Sequence, residues 1–154
     1  MRYHHNGFLP GDPDVQPAAP SHRRAGDPLP ATVDVLIAGS GPAGLCLAAQ
    51  LAKEPGIRTM LVEPKLAPME KGQADGISVR SMEMFQAFGF AEKVARESVW
   101  INETTFWTPG VDAPLTRAAR VQDVPDGLSE MPHTLINQAR IHDLFMDVMR
   151  NAPT

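Results

Sequence analysis

The sequence is 154 residues long and carries 14 basic against 18 acidic side chains, which gives a formal net charge of −4. This balance excludes the broad positive surface that nucleic acids and anionic lipids require. No apolar run approaches the roughly 18 residues of a membrane-spanning helix, and the first residues lack the apolar core of a secretory signal peptide. With Cys46 as its only cysteine the chain can form no internal disulfide, so we expect a protein of the reducing cytoplasm.

The first 30 residues contain six prolines, from Pro10 to Pro30. Each proline removes a backbone donor and disfavours helix at the residue before it, so we predict an extended arm over residues 1–30. His4 and His5 are adjacent and lack a third ligand at a suitable spacing, so no metal site is predicted. We expect residues 31–154 to form a separate domain.

That domain opens with a strand, a glycine turn and a helix, in this order. Residues 33–38 are a short apolar run of the kind that is buried in a parallel sheet. The motif G-x-G-x-x-G follows at 39–44, and a run of small and aliphatic residues then predicts a helix that ends before Pro55. A second apolar strand is predicted at 59–62. The pattern predicts an α/β domain of Rossmann-like type, which binds dinucleotides.

Each residue of the glycine motif has a part in holding a dinucleotide. Gly39 permits a tight turn, Gly41 lets the backbone approach a pyrophosphate, and Gly44 lets the helix lie close to the strand. Pro42 and Ala43 open the helix, where the free amides and the positive end of the helix dipole stabilise phosphate groups. These five residues are therefore predicted to bind the cofactor.

Glu63 lies at the end of the second predicted strand, nineteen residues after Gly44. A carboxylate at this point accepts hydrogen bonds from the ribose hydroxyls of the adenosine, and it disfavours a 2′-phosphate. The motif and this acid suit FAD and NAD equally well.

Longer blocks of the sequence resemble one family. They are GSGPAGL at 39–45, GQADGI at 72–77, RSMEMFQAFGF at 80–90, WINETTFW at 100–107 and PHTLINQARIHD at 132–143, with HHNGFLPGDP near the start. These blocks are similar to flavin-dependent aromatic hydroxylases, in the branch that contains phenol 2-monooxygenase and 3-hydroxybenzoate 4-monooxygenase. The resemblance implies bound FAD, with NADPH or NADH as reductant and O2 as co-substrate. It implies a phenolic substrate. The leading candidate is 3-hydroxybenzoate, hydroxylated at position 4, and phenol is the alternative.

The resemblance also implies roles for single residues. It places Arg80 against the FAD diphosphate, and it adds Gln73 and Gln138 to the cofactor-binding residues. Asp75 matches the family's active-site aspartate beside the substrate phenol. His133 matches a histidine on the substrate side, where it could pair with a substrate carboxylate.

Asp75 has a chemical rationale of its own as a catalytic residue. Withdrawing the phenol proton raises the electron density ortho and para to the oxygen, which an electrophilic oxygen donor needs, and a carboxylate within reach can accept that proton. The alternative is that Asp75 and Gly76 only form a turn, as Asp-Gly pairs often do.

Several other residues have structural interpretations. The helix predicted from Ala139 to Arg150 presents an apolar stripe that we expect to pack in the core: Ile141, Leu144, Phe145, Val148 and Met149. We expect His142 on the polar side of this helix. Trp100 and Trp107 flank a strand-like stretch, and we expect both in a sheet or inter-domain core.

We expect the chain to be an N-terminal fragment, truncated before the substrate-binding portion and inactive alone, because the family resembled has much longer chains. The sequence leaves open whether the full-length protein is a homodimer. Two alternatives remain. An NAD-dependent dehydrogenase domain shares the glycine motif but gives no reason for the QADGI and NQAR blocks, and a non-catalytic remnant of a truncated gene would retain nucleotide binding at most.

Overall fold

The computed structural model describes residues 28–65, 74–111 and 114–153. The described residues form these helices and strands, in chain order: β1 (Val35–Ala38), α1 (Pro42–Leu51), β2 (Thr59–Val62), β3 (Gly76–Ile77), α2 (Val79–Phe88), α3 (Ala91–Glu97), β4 (Val99–Ile101), β5 (Glu103–Thr108), β6 (Thr116–Gln122), β7 (His133–Leu135) and α4 (Gln138–Arg150). Residues 1–27 of the predicted arm lie outside the described residues.

The chain divides into two compact units. The sheet unit runs from Ala74 to Ile136, and the fingerprint unit contains the glycine motif together with the chain from Asn137 onward. Each unit has a core of its own.

The fingerprint unit contains the predicted strand-helix-strand arrangement. β1 and β2 pair in parallel, with Val35 opposite Thr59 and Ala38 opposite Val62. Parallel neighbours need a crossover connection, and α1 supplies it. The Gly39 amide donates to the Val62 carbonyl at 2.8 Å, which extends the pairing to the first residue of the glycine motif. The carboxyl ends of both strands therefore meet at this motif.

The last helix, α4, packs against α1 and closes this core. Its N-cap is Asn137, whose side-chain oxygen accepts a hydrogen bond from the Ala139 amide at 2.9 Å. The predicted apolar stripe is confirmed: Ile141, Leu144 and Phe145 are buried, while the last two members of the stripe are half-buried. The prediction for His142 is wrong, because its ring is half-buried and the Nε2 atom is shielded from solvent.

In the sheet unit, β7 lies between β3 and β4 and pairs antiparallel with both. Helix α2 packs on this sheet, where the Met82 side chain and Thr134 are fully buried in contact with each other. Ser78 caps the start of α2, and Gly89, with φ of 88°, ends it in the left-handed conformation.

Strands β5 and β6 form an antiparallel ribbon that pairs with no third strand in the described part of the chain. Almost all of its residues are exposed, because a two-stranded ribbon has no layer of its own to cover either face. Trp107 is 58% exposed and Trp100, on β4, is 52% exposed. The strand prediction around the two tryptophans is confirmed. Their exposure in this chain contradicts a place in the core of its own sheets, and a place in an inter-domain core stays a prediction.

No helix in the described ranges is long and apolar enough to cross a membrane.

Candidate functional site

The three glycines of the motif are required for different reasons. Gly39 has φ of +100°, a conformation that side chains disfavour. A Cβ on Gly44 would lie 2.1 Å from the Gly39 carbonyl oxygen, so the close approach of helix and turn leaves no room for one. A Cβ on Gly41 would meet nothing within 4 Å, and its φ of −66° suits any residue. The fold itself explains Gly39 and Gly44, whereas Gly41 keeps a space open beside the helix start.

Within the part of the chain that the structure describes, the start of α1 presents backbone donors that have no hydrogen-bond partner beside that space. Gly41 is the N-cap, and no side chain of the residues described caps the helix. The first helical hydrogen bond runs from the Leu45 amide to the Gly41 carbonyl at 2.9 Å, so the amides of Ala43 and Gly44 precede the helical ladder. Pro42 occupies the first turn, where it sacrifices no hydrogen bond. Amides at the positive end of a helix dipole are suited to an anion such as a diphosphate.

Glu63 follows β2 directly and is held beside the glycine motif. One carboxylate oxygen, Oε2, accepts from the Ser40 amide at 2.8 Å and from the Ser40 hydroxyl at 3.0 Å, while Oε1 accepts from the Lys65 amide at 3.0 Å. The bond from the Ser40 amide, followed by those from the Lys65 amide and the Ser40 hydroxyl, lowers the pKa of Glu63 below its usual 4.5. The predicted ribose acceptor is therefore ionised at neutral pH and fixed in place. Sequence reasoning missed Ser40 because it occupies a variable position of the motif.

The remaining predicted cofactor residues lie in different places. Gln138 is the first residue of α4, in the fingerprint unit. Arg80 lies on α2 in the sheet unit, with its side chain 91% exposed and its Nη1 atom 2.8 Å from Glu83 Oε2. Gln73 lies outside the described residues.

Asp75 precedes β3 and is exposed. Its carbonyl oxygen accepts from the Ile136 amide at 2.9 Å, which extends the pairing of β3 with β7. The Asp-Gly turn is not formed, because Gly76 belongs to the strand. Among the described residues, no donor bonds the Asp75 carboxylate, so this group can accept a proton or a hydrogen bond from a ligand.

His133, the first residue of β7, is paired with an aspartate that the sequence analysis did not single out. Its Nδ1 atom lies 2.8 Å from Asp123 Oδ2, and Asp123 Oδ1 accepts from the Thr104 hydroxyl at 3.2 Å. The other ring nitrogen, Nε2, lies 3.6 Å from the point where a side chain at Gly76 would begin. The structure thus joins His133 to Asp123 and Thr104, and it places the ring against the glycine that follows Asp75.

No pattern in the sequence could have identified Asp123. It lies ten residues before His133, after β6, and this spacing follows no helical or strand repeat. The pair forms because the chain returns from the ribbon to the central strand, which no local repeat in the sequence records. Among the described residues, no group of three or more histidine, cysteine or acidic side chains could hold a metal ion.

Comparison with known proteins gives a consistent result. A family model described as "FAD binding domain" matches residues 32–154. The 3-hydroxybenzoate 4-monooxygenase of Comamonas testosteroni is 54% identical over 156 residues, which is 100% of this chain and 24% of the relative. A phenol 2-monooxygenase of Aspergillus fumigatus is 33% identical over 110 residues, which is 71% of this chain and 18% of the relative.

A solved structure shares the fold. The flavin-dependent monooxygenase PieE, crystallised with FAD and substrate, matches with a TM-score of 0.64 and 24% identity, over 81% of this chain and 23% of that protein. The chain spans about a quarter of the length of these relatives or less.

Proposed function

The chain belongs to the FAD binding domain family, and from this premise we propose that it is the N-terminal, FAD-binding portion of a monooxygenase that uses NAD(P)H and O2 to hydroxylate a phenolic compound. The substrate that we propose is 3-hydroxybenzoate, hydroxylated at position 4, which is the reaction named for the relative with 54% identity. FAD, the cofactor predicted from the sequence, is the ligand after which the family is named, and this favours FAD over the NAD alternative.

One observation carries the cofactor part of this proposal. Three features lie together at the carboxyl ends of two parallel strands: the space beside Gly41, the fixed carboxylate of Glu63, and the amides at the start of α1, which pair with none of the described residues. This edge of a parallel sheet is where dinucleotides bind. We assign Gly39, Gly41, Pro42, Ala43 and Gly44 to the pyrophosphate and Glu63 to the ribose.

We assign Arg80, Gln73 and Gln138 to the same cofactor, as the family resemblance implies. The exposed guanidinium of Arg80 is available to a phosphate group, because its partner Glu83 leaves most of the side chain in solvent. FAD held by these residues would carry electrons from NAD(P)H to O2, and O2 would supply the oxygen atom that is inserted into the substrate.

Two side chains of this chain, Asp75 and His133, are assigned to the substrate. We propose that the Asp75 carboxylate takes the phenolic proton, which makes the ring more reactive toward an electrophilic oxygen. We propose that the His133 ring binds the carboxylate of the substrate. An imidazolium whose Nδ1–H is already held by Asp123 has only Nε2–H left to donate to a ligand.

A second candidate substrate is phenol, which the relative from Aspergillus fumigatus supports at 33% identity. Phenol lacks the carboxylate that His133 would bind, so the two candidates differ in what they require of this residue. A non-catalytic remnant is the third interpretation. For the longer protein a cytoplasmic location stays a prediction, and whether it forms a homodimer stays open.

The test uses the full reading frame that contains this segment. The protein is purified with its flavin, and substrate-dependent NADPH and NADH oxidation is measured with 3-hydroxybenzoate, with phenol and with no aromatic added, while products are identified by chromatography. We expect 3,4-dihydroxybenzoate as the main product. Conversion of phenol alone supports the second candidate, and a protein that binds FAD but hydroxylates neither compound refutes the proposal.

The role of Asp75 is tested in the same assay. Replacing Asp75→Asn keeps the size of the side chain and removes its capacity to accept a proton. We expect the rate of hydroxylation to fall about 100-fold while substrate still binds, in the range usual for general acid-base catalysis. The control is Asp126→Asn, because Asp126 bonds only to Gln122 among the described residues and is assigned no part in the site. Equal rates in wild type and Asp75→Asn contradict the assignment.

A further inference from the structure

Asp123 holds His133 in one orientation. The Asp123 side chain is 17% exposed against 34% for His133, and the two meet at 2.8 Å through Oδ2 and Nδ1. The second carboxylate oxygen accepts from the Thr104 hydroxyl at 3.2 Å, and the Asp123 amide donates to the Asn102 carbonyl at 3.0 Å. Both oxygens and the backbone of Asp123 are therefore fixed by neighbouring strands.

This arrangement determines which ring nitrogen carries a proton. An ionised carboxylate has no hydrogen to donate, so the hydrogen between Asp123 and His133 is on Nδ1. The neutral ring is then the Nδ1–H tautomer, with Nε2 as an acceptor. The protonated ring donates from both nitrogens, with Nδ1–H directed at Asp123 and Nε2–H directed away from it.

The side of the ring that carries Nε2 faces Gly76, which has no side chain. A Cβ at this position would be 3.6 Å from Nε2 and would also contact Leu135. A longer side chain there would cover the nitrogen. The ring therefore has an anion at Nδ1 and, beside Nε2, a residue without a side chain.

Two other carboxylates of the same region make contacts of a different kind. Asp126 accepts from Gln122 at 2.8 Å, and Glu103 pairs with Arg120 on the ribbon. These contacts join exposed side chains of neighbouring residues or paired strands, whereas the Asp123 contact reaches a residue of the candidate site.

We propose that Asp123 is a positioning residue for His133, and that Thr104 fixes the carboxylate of Asp123 in turn. The inference rests on the proposed function, in which His133 binds the substrate carboxylate. With Asp123 in place, the imidazolium lies between two carboxylates, one from the protein and one from the substrate. Without it, the ring loses its fixed tautomer and orientation.

The first experiment is independent of any substrate. The full-length holoprotein is labelled with ¹⁵N in its histidine rings, and the His133 signals are assigned by their loss in His133→Gln. At a pH where the ring is neutral, we expect the Nδ1–H pattern in wild type and in the control Asp126→Ala, and its replacement by the Nε2–H pattern in Asp123→Ala. A wild-type ring in the Nε2–H form, or the same tautomer in all three proteins, overturns the proposal.

The second experiment measures binding to the same holoproteins. Dissociation constants for 3-hydroxybenzoate and for phenol are determined for wild type, Asp123→Ala, His133→Gln and the double variant. We expect Asp123→Ala to weaken 3-hydroxybenzoate binding about tenfold and to leave phenol binding within about twofold, since one charge-assisted hydrogen bond is disturbed. In the His133→Gln background, Asp123→Ala should cause no further loss, because its effect passes through the ring.

The outcomes separate the two claims. If His133→Gln weakens 3-hydroxybenzoate binding and Asp123→Ala does not, the positioning role is wrong and the proposed function stands. If the two losses add in the double variant, Asp123 acts by some other route and the positioning role is again wrong. If His133→Gln binds both compounds as wild type does, the proposed role of His133 fails, and the positioning role toward a substrate fails with it.

Discussion

The substitution Gly41→Ala is expected to change the affinity for FAD and to leave the stability of the fold nearly unchanged. The new methyl group would meet no protein atom within 4 Å, and the φ of −66° is one that alanine adopts readily. Replacing glycine at such a position stabilises by about 0.4–1 kcal/mol through the unfolded state, and the poorer N-cap costs about as much. We therefore expect the free energy of unfolding of the cofactor-free protein to change by less than about 1 kcal/mol.

The same methyl group would stand where we place the pyrophosphate. Pushing that group away from the start of α1 disturbs at least one hydrogen bond to a charged acceptor, which is worth about 1.5–3 kcal/mol and corresponds to about a 10- to 150-fold loss in FAD affinity. The matched control is Gly56→Ala, because Gly56 also has open space for a Cβ and no positive φ. The assay is calorimetric titration of FAD into the cofactor-free full-length proteins, with thermal unfolding measured in parallel. Equal FAD affinity in the Gly41 and Gly56 variants would refute the placement of the pyrophosphate.

Three further predictions test the packing and the charges of the fingerprint unit. Gly44→Ala should destabilise the protein by about 1–3 kcal/mol or more, because its Cβ would lie 2.1 Å from the Gly39 oxygen; a melting temperature equal to that of Gly56→Ala contradicts this. Ser40→Ala should raise the pKa of Glu63 toward 4.5 without reaching it, because the two amide bonds remain, as a carbon-detected NMR titration would reveal. The lowered pKa of Glu63 means that its ionised form stabilises the folded state, fully above about pH 4.5, and this stabilisation is lost as the pH falls through the pKa of the folded protein. Ser40→Ala should therefore lose less stability on acidification than wild type does. Burial lowers the pKa of His142 below 6.5, so the unfolded chain takes up the proton first and the free energy of unfolding falls as the pH drops below about 6.5. In His142→Gln the free energy of unfolding should depend less on pH between 7.5 and 5.5. Equal losses of unfolding free energy in the variant and in wild type over this range would contradict the prediction.

The fingerprint unit was the easiest part to predict from the sequence. Its strand, turn and helix follow one another directly along the sequence, so local patterns predict them, and the turn depends on the absence of side chains at Gly39 and Gly44. The parallel pairing of β1 and β2 then follows from the helical crossover between them. The apolar stripe of α4 was also visible, because its period is a property of the helix alone.

The contacts that the sequence did not reveal join residues of different secondary-structure elements or of the segments beside them. The Ser40 hydroxyl reaches Glu63 across 23 positions, and the Asp123 carboxylate reaches His133 through the return of the ribbon. Burial was harder to predict than secondary structure for the same reason. Trp107 has the residue type of a core position, yet its strand belongs to a ribbon with two exposed faces, while His142 is polar and is partly covered.

The central claim is that this chain provides the FAD site of a flavin-dependent hydroxylase, and one measurement tests it directly. The full-length protein is freed of bound flavin, and FAD and NAD⁺ are titrated separately by calorimetry, with a spectrum of the released flavin taken beforehand. We predict stoichiometric binding of FAD, a yellow protein as purified and no comparable affinity for NAD⁺. A protein that binds NAD⁺ tightly and FAD weakly would contradict the account.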